Sequence, residues 1–120
     1  MSAYIYQGMR FGVLFTWDWP YLKQGYGGTV VCTLDGDYIR DGYGGKIIFT
    51  WDWPYLRDGF GGPILCSEDG GYIRRGMGGT VMATLDGAYI RSGYGGSIAY
   101  TMEGMVPKPI IMMIIQEWGC

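Results

Sequence analysis

The chain has 120 residues, a formal net charge of −2 and no histidine. This length suits one domain, and a hydrophobic content of 48% allows a packed core and argues against disorder. The absence of histidine excludes imidazole zinc sites and catalysis by Ser-His-Asp or Cys-His groups. An acidic chain is also a poor partner for nucleic acid, whose phosphates need clustered positive charge.

The terminal segments and the cysteine content predict the cellular location of the protein. The first twelve residues lack the basic and apolar regions of a signal peptide, and the apolar run 110–115 is far shorter than the ~20 residues of a membrane helix. Three cysteines, an odd number without metal-ligand spacing, do not indicate a disulfide framework. We therefore expect a soluble cytoplasmic protein with no cofactor, no membrane partner and no nucleic-acid partner.

A 17-residue repeat organises residues 1–106. It begins with a half-unit at 4–8 and continues through about six copies, which are marked by a hydroxyl residue, an acid, a tyrosine, a basic residue and a glycine pair in fixed order. The hydroxyl column is Thr16, Thr33, Thr50, Ser67, Thr84 and Thr101. Such short, regular units with abundant glycine are typical of β-hairpins, and no unit is long enough for a helix.

Each unit is expected to form two antiparallel strands. A turn centred on Asp35-Gly36 would join them, because Asp-Gly favours tight hairpin turns. Alternation from that turn then puts Val30, Cys32 and Leu34 on the core face. Two core columns follow, which are Val13, Val30, Ile47, Ile64, Val81, Ile98 and Phe15, Cys32, Phe49, Cys66, Ala83, Tyr100. The opposite face would carry the aliphatic stripe Leu14, Val31, Ile48, Leu65 and Met82.

The predicted fold is therefore all-β, with six tandem antiparallel hairpins that form a closed barrel or a two-sheet sandwich. Closure is favoured because open edge strands invite aggregation. Residues 107–120 would form a short apolar C-terminal cap, either a helix beginning near Pro109 or a buried strand.

Two units depart from the repeat with the motif Trp-Asp-Trp-Pro-Tyr. The residues concerned are Trp17, Asp18, Trp19, Tyr21, Trp51, Asp52, Trp53 and Tyr55. These aromatic side chains would either pack at one end of the barrel or form two ligand platforms. Indole faces beside a carboxylate suit sugars or cations.

Two functions remain open at this point. The first is a non-enzymatic structural or assembly role, with homo-oligomerisation through the aliphatic stripe and the C-terminal segment, because so large an apolar face is unusual on a monomer. The second is a lectin-like module that binds a glycan or small ligand at the two tryptophan motifs. An enzyme that uses its Asp and Tyr residues ranks third, since every unit carries an acid and none is distinguished from the others.

Overall fold

A computed structural model describes residues 2–120, which form twelve β-strands and one α-helix. The strands are β1 Ser2–Gln7, β2 Val13–Asp18, β3 Tyr21–Gln24, β4 Val30–Asp35, β5 Tyr38–Asp41, β6 Ile47–Asp52, β7 Tyr55–Asp58, β8 Ile64–Asp69, β9 Tyr72–Arg75, β10 Val81–Asp86, β11 Tyr89–Ser92 and β12 Ile98–Glu103. The helix, α1, is Lys108–Trp118. Hairpins of one long and one short strand thus repeat along the chain, as the 17-residue period predicts.

The twelve strands form one closed antiparallel barrel. Each strand pairs with its neighbours in sequence, and β1 pairs with β12 to close the ring. In that last pair Tyr4 lies opposite Glu103, as Tyr38 lies opposite Asp35 within an ordinary unit. The half-unit at 4–8 therefore completes the sixth hairpin. Of the two predicted architectures, the closed barrel is confirmed.

The two ends of the barrel differ in their connections. Five two-residue turns lie at one end, called here the turn end, and six five-residue glycine-rich loops lie at the other, the loop end. The predicted turn centre Asp35-Gly36 is wrong by one residue, because Asp35 pairs with Tyr38 and the turn is Gly36 and Asp37. Of the two turn residues, Gly36 has a positive φ of 61° and Asp37 does not. This is the pattern of a type II′ turn with glycine in its first central position.

The predicted core face is wrong for part of each unit, because each unit contains a β-bulge. Leu22 pairs with Cys32 and Lys23 pairs with Val30, so that Val31 is an extra residue in β4. Beyond the bulge the alternation of side chains is reversed. The stripe placed on the outer face, Leu14, Val31, Ile48, Leu65 and Met82, therefore packs against the core, whereas the column of Val30 does not belong to it. The column of Phe15 and Cys32 is buried as predicted.

The helix α1 lies inside the barrel. Pro109 and all residues from Ile110 to Ile115 are buried, and a helix buried on every side must be surrounded by protein. Its eleven residues span about 16 Å at the usual helical rise, close to the 19 Å shortest dimension of the molecule. The apolar cap predicted as helix or strand is thus a helix that fills the lumen. None of the helices in residues 2–120 has the length and apolarity to cross a membrane.

The recurrent hydroxyl residue ties each loop to the barrel wall. Thr33 Oγ1 donates a hydrogen bond to the Gly42 carbonyl at 2.7 Å and accepts one from the Gly44 N–H at 2.9 Å. The loop is thereby folded back along the outside of the sheet, where Tyr43 stacks on Tyr21 with ring centroids 5.1 Å apart. The repeat of threonine, glycine and tyrosine in the sequence is thus a repeated structural clamp.

Candidate functional site

The four tryptophans of the two unusual motifs divide into two groups. Trp19 and Trp53 lie in the two-residue turns at the turn end, where they are 72% and 68% exposed. Trp17 is buried at 4% exposure, and Trp51 packs against the core. Of the two alternatives for these motifs, packing describes Trp17 and Trp51, because strand alternation turns the first indole of each motif into the lumen, whereas the second indole is exposed.

The acids of these motifs are held by their own units. Asp18 Oδ2 lies 3.1 Å from Lys23 Nζ, and Asp52 Oδ2 lies 2.9 Å from Arg57 Nε. The five-residue spacing of acid and base therefore produces ion pairs across each hairpin. Pairs as exposed as these contribute little stability, typically ~0–1 kcal/mol.

The tyrosines of the motifs, Tyr21 and Tyr55, lie on the outer face of the barrel. They do not form one flat platform with the exposed indoles of Trp19 and Trp53. Tyr21 stacks on Tyr43, and Tyr55 lies under the guanidinium of Arg57 at 6.0 Å. Both rings are half-buried by these contacts. The predicted residues thus remain near the turn end but contact different neighbours.

A groove next to Trp19 collects side chains from two successive units. It measures about 420 Å³ and is lined by Trp19, Pro20, Thr33, Asp35 and Arg40, among others. The turn of one unit forms one wall, and the ion pair of the next unit forms the other. Neither motif alone predicts this combination, because its two walls come from successive units.

The polar wall of the Trp19 groove keeps free hydrogen-bonding capacity. Arg40 Nε donates to Asp35 Oδ2 at 2.9 Å, and Arg40 Nη1 donates to the Gly45 carbonyl at 3.1 Å. The other two polar atoms of this pair, Asp35 Oδ1 and Arg40 Nη2, make no hydrogen bond within residues 2–120. The groove thus offers an aromatic face, an acceptor and a donor to one ligand.

Similar grooves recur around the outside of the barrel. One of about 250 Å³ contains Pro54, Tyr55 and Asp69, and another of about 190 Å³ contains Tyr4 and Asp18. Both are smaller than the groove at Trp19, and neither has an indole in its lining. The Trp19 groove is therefore the largest of these three outer sites and the only one of the three with an exposed tryptophan.

The cysteines do not add a nucleophile to any of these grooves. Burial raises the pKa of the Cys32 thiol to about 12, with a smaller contribution from the charge of Asp41, and burial raises the pKa of Cys66 to about 12. Such thiols stay protonated near neutral pH, and the thiolate is the reactive form. The two side chains fill the barrel as small apolar groups, as the sequence predicts.

Comparison with known protein families places most of the chain in a described family. The family model described as "6-fold beta flower protein" matches residues 4–113, which include all the strands beyond the first residues of β1 and half of α1. No curated protein and no solved structure matches the chain significantly. The six hairpins around one axis agree with the description of the matched family. The chain belongs to the 6-fold beta flower family.

Proposed function

We propose that this protein is a non-enzymatic carbohydrate-binding module that recognises its ligand at the exposed turns of Trp19 and Trp53. The observation that carries the proposal is the Trp19 groove, where an indole that is largely in solvent faces an Asp–Arg pair with unused hydrogen-bonding atoms. Aromatic residues with one apolar face and polar neighbours are suited to sugars, which present C–H groups on one side and hydroxyls at their edge.

The repeat makes the module multivalent. Trp19 and Trp53 occupy equivalent turns two units apart on one rim, although the groove beside Pro54 is smaller than that at Trp19 and is not lined by Trp53. Linked sites that can engage one polymer together raise the apparent affinity above that of either alone. A branched or polymeric glycan is therefore a better ligand than a free monosaccharide.

The assembly function remains a prediction with less support. It depended on an exposed aliphatic stripe and on a free apolar C-terminal segment. Val31 and its equivalents pack against the core, and α1 is buried in the lumen. Both features are accounted for within a single chain, so homo-oligomerisation would need another surface.

The experiment is a titration of the protein with glycan polymers and their component sugars, followed by tryptophan fluorescence and calorimetry. The test variants are Trp19→Ala, Trp53→Ala and the double variant. Phe11→Ala is the matched control, because Phe11 is also an exposed aromatic residue but lies in a loop at the loop end of the barrel.

Each single substitution should weaken binding about threefold to tenfold, the equivalent of about 0.5–1.5 kcal/mol for an aromatic contact. The double variant should lose the multivalent gain and bind polymer no better than monosaccharide. Binding that survives in the double variant, or that Phe11→Ala weakens equally, would contradict the proposal. Light scattering of the same samples tests the assembly prediction separately.

A further inference from the structure

At the loop end the six units differ from one another at two positions. One is the inner column, with aromatic, cysteine and alanine side chains in different units: Phe15, Cys32, Phe49, Cys66, Ala83 and Tyr100. The other is the last residue of β1 and of each four-residue strand, which is an amide, an acid, a base or a hydroxyl residue: Gln7, Gln24, Asp41, Asp58, Arg75 and Ser92. These variations make one side of the loop end chemically distinct from the rest of the ring.

A cavity of about 570 Å³ lies at that side, between the barrel wall and the C-terminal half of α1. Its apolar lining includes the half-buried side chains of Val31 and Ile48, and Cys32, Phe49 and Met113 also border it although they are almost fully buried. Cys32 is a small residue between two phenylalanine positions of the inner column, so it leaves room that a ring fills in the neighbouring units. The volume is within the range of small-molecule pockets, about 300–1,000 Å³.

Trp118 borders this cavity at the end of the helix. Its side chain is 50% exposed, and its ring lies 4.9 Å from that of Phe15 at an angle of 58°. A second cavity, of about 390 Å³, lies against Trp118 and is lined by Leu14, Phe15 and Tyr100. The indole therefore stands at the mouth, between two apolar spaces, with much of its surface in solvent.

The rim of the larger cavity is acidic. Asp41, Asp58 and Glu117 line it together with a single cation, Lys46. None of these four side chains belongs to an ion pair among residues 2–120, in contrast to the acids that end five of the long strands, Asp18, Asp35, Asp52, Asp69 and Asp86. The helix makes the electrostatic potential at the rim more negative, because its C-terminus carries partial negative charge and its last turn contains no basic residue.

We propose that this cavity binds an organic cation with an apolar body, of the alkylammonium class. The hydrocarbon part would lie against Val31 and Ile48, and the ammonium group would lie at the rim among Asp41, Asp58 and Glu117. The face of Trp118 is available to a quaternary ammonium through cation–π contact. An apolar interior and a rim with excess carboxylates together favour a cationic amphiphile over a neutral or an anionic one.

The test is calorimetric titration of the full chain with hexyltrimethylammonium, 1-hexanol and hexanoate, three probes of equal chain length and different charge. The cation should bind at one site, the alcohol more weakly, and the carboxylate least. Asp58→Asn should weaken cation binding about twofold to fivefold, the range for one partly exposed charge pair, and Asp41→Asn combined with it should weaken it further.

The matched control is Asp37→Asn, which removes the same charge from an exposed turn at the opposite end of the barrel. It should leave cation binding unchanged, as should Trp19→Ala, so a failure of the glycan proposal is distinguishable from a failure here. Cys32→Phe, checked for folding by circular dichroism, should abolish binding by filling the cavity. No binding of the cation at millimolar concentration, equal binding of all three probes, or equal weakening by Asp37→Asn would overturn the proposal.

Discussion

The helix inside the barrel predicts a large difference between two chemically identical substitutions. Met112 lies on α1 with 0% exposure, whereas Met105 lies between β12 and the helix with 90% exposure. Met112→Ala removes the Cγ, Sδ and Cε atoms from the lumen, which costs about 2.4 kcal/mol at about 0.8 kcal/mol for each methylene-sized group. The cavity left behind adds to this, and the usual total for such a change is about 2–5 kcal/mol.

Urea denaturation followed by circular dichroism measures this loss. With an m-value of about 1.5 kcal/mol/M, a loss of about 3 kcal/mol lowers the midpoint by about 2 M. Domains of this size have a free energy of unfolding of about 5–15 kcal/mol, so most of that range leaves Met112→Ala folded. Met112→Leu, which nearly conserves volume, should cost less than about 1.5 kcal/mol and provides a folded comparison.

The matched control is Met105→Ala, which should change stability by less than about 0.5 kcal/mol because the side chain is already in water. Equal destabilisation by Met105→Ala and Met112→Ala would refute the reasoning. So would a small effect of Met112→Ala with an unchanged m-value. Either result would mean that α1 does not fill the lumen.

Three further predictions concern the loops and the thiols. Thr33→Val should destabilise the protein by about 1–3 kcal/mol in urea titration, because two loop groups lose their hydrogen-bond partner, while Thr29→Val, at an exposed site, should have little effect. Gly45→Ala should lower the melting temperature, because a Cβ there would lie 2.4 Å from a backbone oxygen; Gly12→Ala, with nothing within 4 Å, should not, and equal shifts would contradict the loop geometry. In native protein a maleimide should label only Cys120, since the other two thiols are buried; mass spectrometry showing more than one label before denaturation would contradict this.

Prediction of the candidate sites from sequence was partial. Trp19 and Trp53 stood out because proline and tryptophan replaced the usual turn residues, and both are exposed. The groove at Trp19 could not be predicted from its own motif, because its polar wall, Asp35 and Arg40, belongs to the next unit. The loop-end cavity could not be predicted either, since its lining joins strand residues to a helix whose position only the tertiary structure shows.

The repeat by itself determined the hairpins, the strand count and the preference for closure. A 17-residue period with glycine-rich turns leaves only short antiparallel strands, and short-range hydrogen bonds and turn geometry depend on neighbouring residues alone. The inner column of Phe15 and Cys32 could be assigned for the same reason, because side-chain alternation is a local property of a strand.

Only the tertiary structure decided the pairing of β1 with β12, the bulge at Val31 and the position of α1. A bulge is one extra residue whose presence depends on the partner strand, so it reverses the inferred faces without a clear sequence signal. The apolar side chains of residues 110–115 could be buried either in a strand or in a helix, so the sequence pattern does not distinguish the two. A ring of twelve strands encloses a lumen that short side chains such as Ala83 and Cys66 do not fill, and the helix occupies that space.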